Sequence, residues 1–397
     1  MWKKYKLKDI GCSFLSGFAF KSTDYISVGV PLIKIGNIQN RAVRIDELGD
    51  FVHKDILNKK ISQYLLKNMD VLIAMTGQGS VGRVGRIKMK SNEFALLNQR
   101  VGKFACDERR INIDFLFYIL ASAEYQDALF KAGSGSGQPN LSPELILDFE
   151  IPIPPYDIQK AIAEILRSLD DKIDLLHRQN KTLEQLAETL FRQWFVEEAE
   201  TNWETAILND VVSVRGGTTP STSIPEYWDG NIAWTTPRDL SNHKSVFLFD
   251  TERKITEKGL SVIGSGLLPI GTVLLSSRAP IGYLAITSLP VAINQGYIAI
   301  LCDKLVSNQF IYLWCKANLE EIKNAGNGSV FQEISKSTFK QLAIQIPPES
   351  ILRHFDTTIT PIFLKIKANQ TQIHTLTNLR DSLLPKLMSG EVLVKSE

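Results

Sequence analysis

Three glycines follow an apolar segment at a spacing that can bind phosphate groups. The run Gly77-Gln-Gly79-Ser-Val-Gly82 comes directly after the strand-like segment 70–75 and matches the GxGxxG pattern. A dinucleotide site requires a helix next, because the pyrophosphate lies at the helix N-terminus. Residues 83–88 instead alternate as a strand does. A turn between two strands is therefore favoured, with a nucleotide site as the alternative.

A second motif has the form of an amino-group binding site. Ile153-Pro154-Pro155-Tyr156 resembles the Asp/Asn-Pro-Pro-Tyr of adenine-N6 methyltransferases, whose first side chain accepts a hydrogen bond from the target amino group. Isoleucine cannot accept that bond. A second Pro-Pro pair, at 347–348, is followed by glutamate. Both pairs are predicted to be stiff junctions between a globular segment and a helix, because proline restricts its own backbone and that of the residue before it.

The chain contains an internal repeat. Leu97-Asn98-Gln99 recurs as Ile293-Asn294-Gln295, and Ile151-Pro-Ile-Pro-Pro recurs as Ile344-Gln-Ile-Pro-Pro. A glycine-rich loop precedes the Pro-Pro pair in both copies, and a long helical pattern follows it. The order is globular segment, helix, globular segment, helix.

Polar and cationic side chains occupy turns and loops in both copies, where they suit contacts to phosphates and base edges. Candidates in the first copy are Asn37, Gln39, Arg41, Arg44, Gln78, Arg83, Arg86, Ser134, Ser136 and Gln138. Candidates in the second copy are Thr218, Thr219, Thr235, Thr236, Arg238, Arg278, Asn327, Ser329 and Gln332. A purely connecting role for the two glycine-rich loops stays open. Residues 1–150 carry a net charge of +5, which permits a nucleic-acid partner.

The segment after the first Pro-Pro pair has the pattern of a coiled-coil helix. Apolar positions recur at alternating steps of three and four residues, and no glycine or proline lies between Ile158 and Val196. The positions are Leu166, Leu169, Ile173, Leu176, Asn180, Leu183, Ala187, Leu190 and Trp194. The pattern recurs from about Ser350 to Met388 and ends at Ser389-Gly390, a helix stop signal.

Two such helices in one chain are predicted to pair with each other, antiparallel, about an approximate two-fold axis. Asn180 falls at an a position and Asn369 at a d position, and an antiparallel coil pairs a with d. We expect the two amides to face each other and to set the register by hydrogen bonding. Two unrelated, solvated asparagines are the alternative.

The predicted fold class is α+β, with two globular domains in tandem repeat separated by long helices. The expected boundaries are domain 1–156, helix 157–200, domain 201–349 and helix 350–397. Predicted strands are 31–35, 70–75, 84–88, 101–105, 232–235, 272–276, 282–286 and 297–302, and predicted helices are 111–131 and 307–324.

Composition narrows the possible functions. The four cysteines are scattered without a CxxC pair, so neither a zinc site nor a disulfide framework is expected. The expected compartment is a reducing cytoplasm. No run of about 18 apolar residues predicts a membrane span. The sequence offers no convincing metal-ligand cluster and no HExxH, GxSxG or GxxxxGK[ST] motif, which favours a binding protein.

These features together resemble the specificity (S) subunit of type I restriction–modification enzymes. The resemblance covers essentially the whole chain and is strongest in Ile151-Pro-Ile-Pro-Pro-Tyr-Asp-Ile-Gln159 and in the closing Leu-Leu-Pro-Lys-Leu-Met-Ser-Gly-Glu-Val of 383–392. The family usually has an acidic residue directly before the glutamine, where this chain has Ile158, and the second junction lacks that glutamine.

The resemblance implies that each globular half is a target recognition domain for one half of a split, asymmetric site in double-stranded DNA. The helices would set the gap, about one helical turn or roughly 34–36 Å. They would also dock two methyltransferase (M) subunits, which carry S-adenosylmethionine. Restriction/translocase (R) subunits would join them in a bacterial or archaeal cytoplasm. This chain would hold no active site, cofactor or metal.

Three alternatives remain open from the sequence. The chain could be a DNA adenine methyltransferase in its own right, a coiled-coil scaffold without a DNA role, or a specificity protein whose partners are lost. Ile153 argues against the methyltransferase, because its side chain cannot accept a hydrogen bond from the target amino group.

Overall fold

The computed structural model describes residues 2–39, 41–45, 49–134, 139–200, 202–241, 245–326 and 332–394. Internal contacts divide the chain into two compact units. Unit 1 comprises Met1–Lys172 and Leu376–Glu397, and unit 2 comprises Ile173–Thr375. Each unit therefore takes in part of both long helices, which the expected domain boundaries had kept separate.

Short strands and helices alternate through the first half of the chain. The strands are β1 (Lys4–Lys6), β2 (Cys12–Ser16), β3 (Tyr25–Ile26), β4 (Val30–Ile33), β5 (Ile38–Gln39), β6 (Ala42–Val43), β7 (Phe51–Val52), β8 (Leu65–Leu66), β9 (Val71–Ala74), β10 (Val84–Ile87), β11 (Ala95–Leu97), β12 (Val101–Cys106) and β13 (Glu150–Pro152). The helices are α1 (Ile113–Leu120), α2 (Ala123–Gly133), α3 (Pro143–Leu147) and α4 (Tyr156–Arg192).

The second half follows the same plan. Its strands are β14 (Glu204–Ile207), β15 (Ser213–Arg215), β16 (Trp228–Thr235), β17 (Phe247–Leu248), β18 (Arg253–Ile255), β19 (Val273–Ser277), β20 (Ile281–Thr287), β21 (Ala292–Ile293), β22 (Tyr297–Leu301) and β23 (Ala343–Ile346). Its helices are α5 (Leu208–Val211), α6 (Pro237–Ser241), α7 (Glu257–Ser261), α8 (Asn308–Ala317), α9 (Leu319–Asn324), α10 (Lys336–Lys340) and α11 (Glu349–Ser389).

The sheet topology repeats from one unit to the other. The main sheet has the order β2-β12-β9-β10-β6-β5 in unit 1 and β15-β22-β19-β20-β17 in unit 2. A second sheet is ordered β3-β7-β4-β11-β8 and β18-β16-β21, and a two-strand pair joins β1 to β13 and β14 to β23. The tandem α+β repeat predicted from the sequence is confirmed.

The predicted helices 111–131 and 307–324 are each divided into two shorter helices. Ser122 separates α1 from α2, because its hydroxyl accepts a hydrogen bond from Tyr125 N (3.4 Å) and donates to Ile119 O (2.8 Å). Asn318 separates α8 from α9, and its amide donates to Trp314 O at 2.9 Å. Serine and asparagine side chains offer the backbone alternative partners, which favour a helix end over a helix interior.

The long helices belong to the cores of the units. In unit 1, Leu166 of α4 and Leu387 of α11 lie in one buried cluster with Ile73 of β9 and Phe115 of α1. Full burial of such a side chain stabilises the fold by about 1.5–3 kcal/mol. In unit 2, α4 and α11 likewise pack against β19 and α8. The helices thus hold each sheet in place besides contacting each other.

Within unit 2 the two long helices run antiparallel. Asn180 contacts Asn369, whereas Trp194, further along the first helix, stacks on His354, earlier in the second. Asn369 Nδ2 donates to Asn180 Oδ1 at 2.9 Å, and both side chains are buried. The predicted asparagine pairing is confirmed.

Both Pro-Pro pairs lie at strand-to-helix junctions, as predicted. Pro154-Pro155 lies between β13 and α4, and Pro347-Pro348 lies between β23 and α11. The first junction is held by Gln159, whose fully buried amide donates to Pro154 O (3.0 Å) and accepts from Asn112 N (2.9 Å). Within the described ranges, no helix combines the length and the apolar character needed to cross a membrane.

Candidate nucleic-acid interface

Several turns meet at one end of the strands of unit 1. Gly17 N donates to Val101 O (3.0 Å), Met75 N to Arg100 O (2.9 Å) and Gly77 N to Pro139 O (3.3 Å). These bonds bring together residues 17–18, 76–83, 98–100 and 139–140, which we call the unit 1 edge. Four segments far apart in sequence thus form one continuous surface.

The GxGxxG run is the turn between the antiparallel strands β9 and β10, which confirms the prediction made from the alternating residues after it. Its glycines have φ angles of 105°, 73° and 80°, in the left-handed region that favours glycine. Gln78 is exposed at the tip, and Arg83, the residue before β10, is half-buried. Among the described residues no carboxylate pairs with Arg83, so its charge is available to a ligand.

Arg86 does not project from this turn, and that prediction is wrong. Its side chain is 5% exposed, and Nη2 lies 2.8 Å from Asp114 Oδ1. The guanidinium packs 4.1 Å above the Phe117 ring, and burial lowers its pKa. The cause is tertiary, because α1 covers the face of β10 on which Arg86 lies.

The candidates between 37 and 44 stabilise the β5–β6 hairpin. Asn37 is buried, accepts from Lys34 N (2.9 Å) and donates to Arg44 O (2.7 Å). Gln39 donates to Gly36 O at 2.9 Å, and Arg44 is half-buried. The prediction that Asn37 faces a ligand is wrong, because both ends of its amide are used within the loop.

Arg41 is likewise turned towards the helices and not towards the edge. Its Nε donates to Ala121 O (3.3 Å) and its Nη1 to Asp381 of α11 (3.1 Å). Desolvation by burial lowers its pKa. Arg41 therefore ties the hairpin to α11, and its prediction as an exposed contact is wrong.

The described residues at the two ends of the glycine-rich loop of unit 1 are Ser134 and Asn140. Ser134 is exposed and donates to Phe130 O at 2.7 Å. Asn140, at the other end of the loop, is exposed and forms a β-bridge with Thr76. Ser136 and Gln138 lie outside the described residues.

Unit 2 has a corresponding edge. Thr218 N donates to Ile293 O (3.1 Å), Ser277 N to Gly296 O (2.8 Å) and Ile334 N to Ser277 O (3.0 Å). Asn294 N also donates to Thr235 O at 3.1 Å. These bonds place five segments at the same end of the same strands as in unit 1: residues 216–221, 235–238, 277–280, 294–296 and 332–334. We call this surface the unit 2 edge.

The threonines of this edge differ in their exposure. Thr218 is exposed, and Thr219 Oγ1 donates to Gln295 Oε1 at 2.8 Å. Thr235 is fully buried beside the Tyr297 hydroxyl, so it supports the edge from within. Thr236 donates through N (2.7 Å) and Oγ1 (3.1 Å) to Asp239, which ties the start of α6 to the edge.

The two arginines of this edge have acidic neighbours. Arg278 Nη1 lies 3.3 Å from Glu333, to which it is also joined by a β-bridge. Arg238 is 83% exposed and lies 4.0 Å from Glu252, a separation at which solvent screens most of the attraction. Gln332 is exposed, whereas Asn327 and Ser329 lie outside the described residues.

Three edge residues were not among the sequence candidates. Gln99 and Arg100 are exposed on the unit 1 edge, and Gln295 is exposed at the matching turn of unit 2. The repeat contained a signal for them, because Leu97-Asn98-Gln99 and Ile293-Asn294-Gln295 align. With Arg83 and Arg100 the unit 1 edge presents two arginines that pair with no carboxylate of the described chain, whereas Arg278 is partly neutralised.

The fold and the two edges define a class of protein, a tandem pair of α+β recognition domains built on two long helices. Residues 1–185 and 200–380 match the family described as the type I restriction modification DNA specificity domain. The chain belongs to this family and is a specificity subunit of the type I restriction–modification class.

Individual relatives agree with this assignment. The MjaIX specificity subunit of Methanocaldococcus jannaschii is 40% identical over 178 residues, which span 43% of this chain and 41% of that protein. The HindI specificity subunit of Haemophilus influenzae is 26% identical over 98% of this chain and 99% of its own length. The crystal structure of an S subunit from M. genitalium aligns with a TM-score of 0.61 at 16% identity, covering 98% and 96% of the two chains, and shows the same fold.

Proposed function

We propose that each unit uses its edge to recognise one half of a split, asymmetric sequence in double-stranded DNA. The observation that carries the proposal is the repeated convergence of matching segments at one end of the strands, with different side chains in the two units. A common scaffold with unlike contact residues suits two unlike half-sites. Arginine, glutamine, asparagine and threonine can pair with base edges in the major groove.

The charge of the edges suits DNA as the ligand. Arg83 and Arg100 are available to phosphates in unit 1, and Arg238 is largely exposed in unit 2. Each phosphate contact releases counterions, so binding is expected to weaken steeply as salt rises. Base contacts rather than phosphate contacts would set the sequence.

The partners are proposed on the same basis. Two methyltransferase subunits carrying S-adenosylmethionine would dock on the long helices, and restriction/translocase subunits would join them. The helical segment 151–200 has a net charge of −4 and exposes Leu175 and Leu186, which suits a protein partner. A complex that acts on cellular DNA is expected in the cytoplasm.

We further propose that this chain has no catalytic role of its own. Ile153 packs against the buried cluster of unit 1, so the residue that would accept a target amino group is an apolar core contact. Crosslinking of radiolabelled S-adenosylmethionine to the purified chain tests this point directly. Labelling of this chain would refute it, and labelling only of an added methyltransferase subunit would support it.

The decisive experiment is methylome sequencing of a host that carries the complete system. The expected result is one bipartite methyladenine motif with two unlike halves. Absence of any such motif in a host with active methyltransferase subunits would refute the proposal.

Substitution in one edge tests the division of labour. Arg83→Ala is expected to weaken or relax recognition of one half-site only, because its side chain belongs to the unit 1 edge. Arg109→Ala is the matched control, since Arg109 is 90% exposed and pairs with Asp107 beyond the far end of β12. Equal loss at both half-sites, or an equal effect of the control, would contradict the assignment.

A further inference from the structure

Arg253 lies beside the unit 2 edge and is stacked on an aromatic ring. It is the first residue of β18 and pairs in register with Trp234, the residue before the last of β16. Its guanidinium carbon is 3.5 Å from the centroid of the Trp228 ring and 5.7 Å from that of Trp234. A guanidinium over an indole face is held by cation–π attraction and by stacking.

The two tryptophans form a rigid platform beneath the edge. Their ring centroids are 5.0 Å apart at an interplanar angle of 85°, and both side chains are buried. Trp228 Nε1 donates to Ser221 O (3.1 Å), and Trp234 Nε1 donates to Thr218 O (3.4 Å). The platform is therefore bonded to the 218–221 loop, which belongs to the edge.

The charge of Arg253 is uncompensated. Its side chain is exposed, and in the part of the chain that the structure describes no carboxylate forms an ion pair with it. The neighbouring cation Lys254, by contrast, lies 3.4 Å from Asp250. The two buried indoles therefore orient the exposed guanidinium but do not neutralise its charge.

Unit 1 places the opposite charge at the matching position. Leu32 of β4 corresponds to Trp234 in the repeated topology, and Leu32 N bonds to the carbonyl of Asp50, just before β7. Asp50 is itself paired with Lys34 at 2.7 Å. The two units therefore differ in charge at this position, as two domains for unlike half-sites would.

We propose that Arg253 is a DNA contact of unit 2, with Trp228 and Trp234 as the residues that position it. The inference rests on the proposed function of the edges. The guanidinium would bind a pair of hydrogen-bond acceptors that lie in one plane. Either the O6/N7 edge of a guanine or a phosphate group supplies such a pair. Because stacking has already restricted the side chain, less entropy is lost on binding.

The test uses the complete methyltransferase complex with the wild-type chain or with Arg253→Ala, Arg253→Lys and the control Lys254→Ala. Arg253→Ala is expected to lower the methylation rate of the target by about tenfold or more and to alter recognition of one half-site only. Lys254→Ala is expected to change the rate less than about twofold, because its partner Asp250 already neutralises it.

The lysine variant distinguishes the two sources of the acceptors. With a guanine, Arg253→Lys remains impaired and the motif becomes degenerate at one base pair. With a phosphate, Arg253→Lys recovers most of the activity and the motif is unchanged, while Arg253→Ala lowers the salt slope by about one. An unchanged rate, motif and salt slope in Arg253→Ala would overturn the inference. Failure of the wild-type complex to show any bipartite motif would instead refute the proposed function.

A second pair of variants separates positioning from folding. Trp228→Leu is expected to reduce the rate as Arg253→Ala does, and Trp228→Phe to retain more of it, because phenylalanine keeps an aromatic face. The double variant Trp228→Leu/Arg253→Ala is then expected to be no worse than Arg253→Ala alone. A further loss of equal size in the double variant would show that Trp228 acts only through the fold, and would overturn its positioning role.

Discussion

Replacement of Asn369 by leucine is expected to destabilise unit 2 by about 1–2 kcal/mol. Asn369 Nδ2 is the donor to Asn180 Oδ1 at 2.9 Å, and the two side chains are 1% and 5% exposed. A buried polar group left without its partner costs about 1–3 kcal/mol. Part of that cost is recovered, because Asn369 Oδ1 has no hydrogen-bond partner among the described residues and leucine removes it.

The double variant Asn180→Leu/Asn369→Leu isolates the interaction. Removal of both amides leaves no unpaired polar group at this position, so the double variant is expected to be as stable as the wild type or more stable. The sum of the two single-variant effects would then exceed the destabilisation measured for the double variant. The difference, the coupling energy between the two residues, is expected to be about 1–3 kcal/mol. The loss of the polar pair would also weaken the selection of one register over its alternatives.

The measurement is equilibrium unfolding of the full chain in urea, followed by tryptophan fluorescence. Five of the six tryptophans lie in unit 2, so the signal reports mainly on that unit; they are Trp194, Trp203, Trp228, Trp234 and Trp314. Gln372→Leu, at an exposed position on the same helix, is the control and is expected to change stability by less than about 0.5 kcal/mol. Additive effects of the two single substitutions, within about 0.5 kcal/mol, would refute the reasoning.

Three further outcomes are expected. Asp170→Ala should destabilise unit 1 by about 1–3 kcal/mol, because the buried Tyr118 hydroxyl loses its acceptor at 2.8 Å and Arg380 keeps Asp381 but loses the carboxylate at 2.7 Å. Native-state hydrogen exchange across α4 would measure this, and unchanged protection would contradict it. Gln159→Leu should cost about 1–3 kcal/mol and speed exchange at the Asn112 amide, which loses its acceptor at 2.9 Å; a rate equal to that of the wild type would argue against the junction bond. Burial raises the pKa of Cys302 to about 12, which lowers the fraction of reactive thiolate at pH 8. Iodoacetamide should therefore alkylate Cys302 on the order of a thousandfold more slowly in the folded chain than in urea. Equal alkylation rates in the two states, measured by mass spectrometry, would exclude that shift.

The candidate edges could be predicted only in part. Gln78, Arg83 and Thr218 lie on the edges, as predicted. Glycine-rich or polar sequences indicate turns at the ends of strands, and the side chains of such turns face outward. Asn37 and Arg86 were assigned to the same surface because they are polar residues in or beside predicted turns, a position that does not show what packs over them. Whether a polar residue faces solvent depends on what packs over it, and α1 and the hairpin loop decide that here.

The sequence by itself determined the features that depend on local or periodic patterns. The duplication, the Pro-Pro junctions, the turn at Gly77–Gly82 and the pairing of Asn180 with Asn369 all follow from spacing, because backbone restriction and heptad geometry act over a few residues. The tertiary structure alone decided which charges are buried, paired or free. Arg86 is neutralised by Asp114 and Arg253 is held on Trp228. Each partner lies on another strand or helix, so only the folded sheets and helices bring the two side chains together.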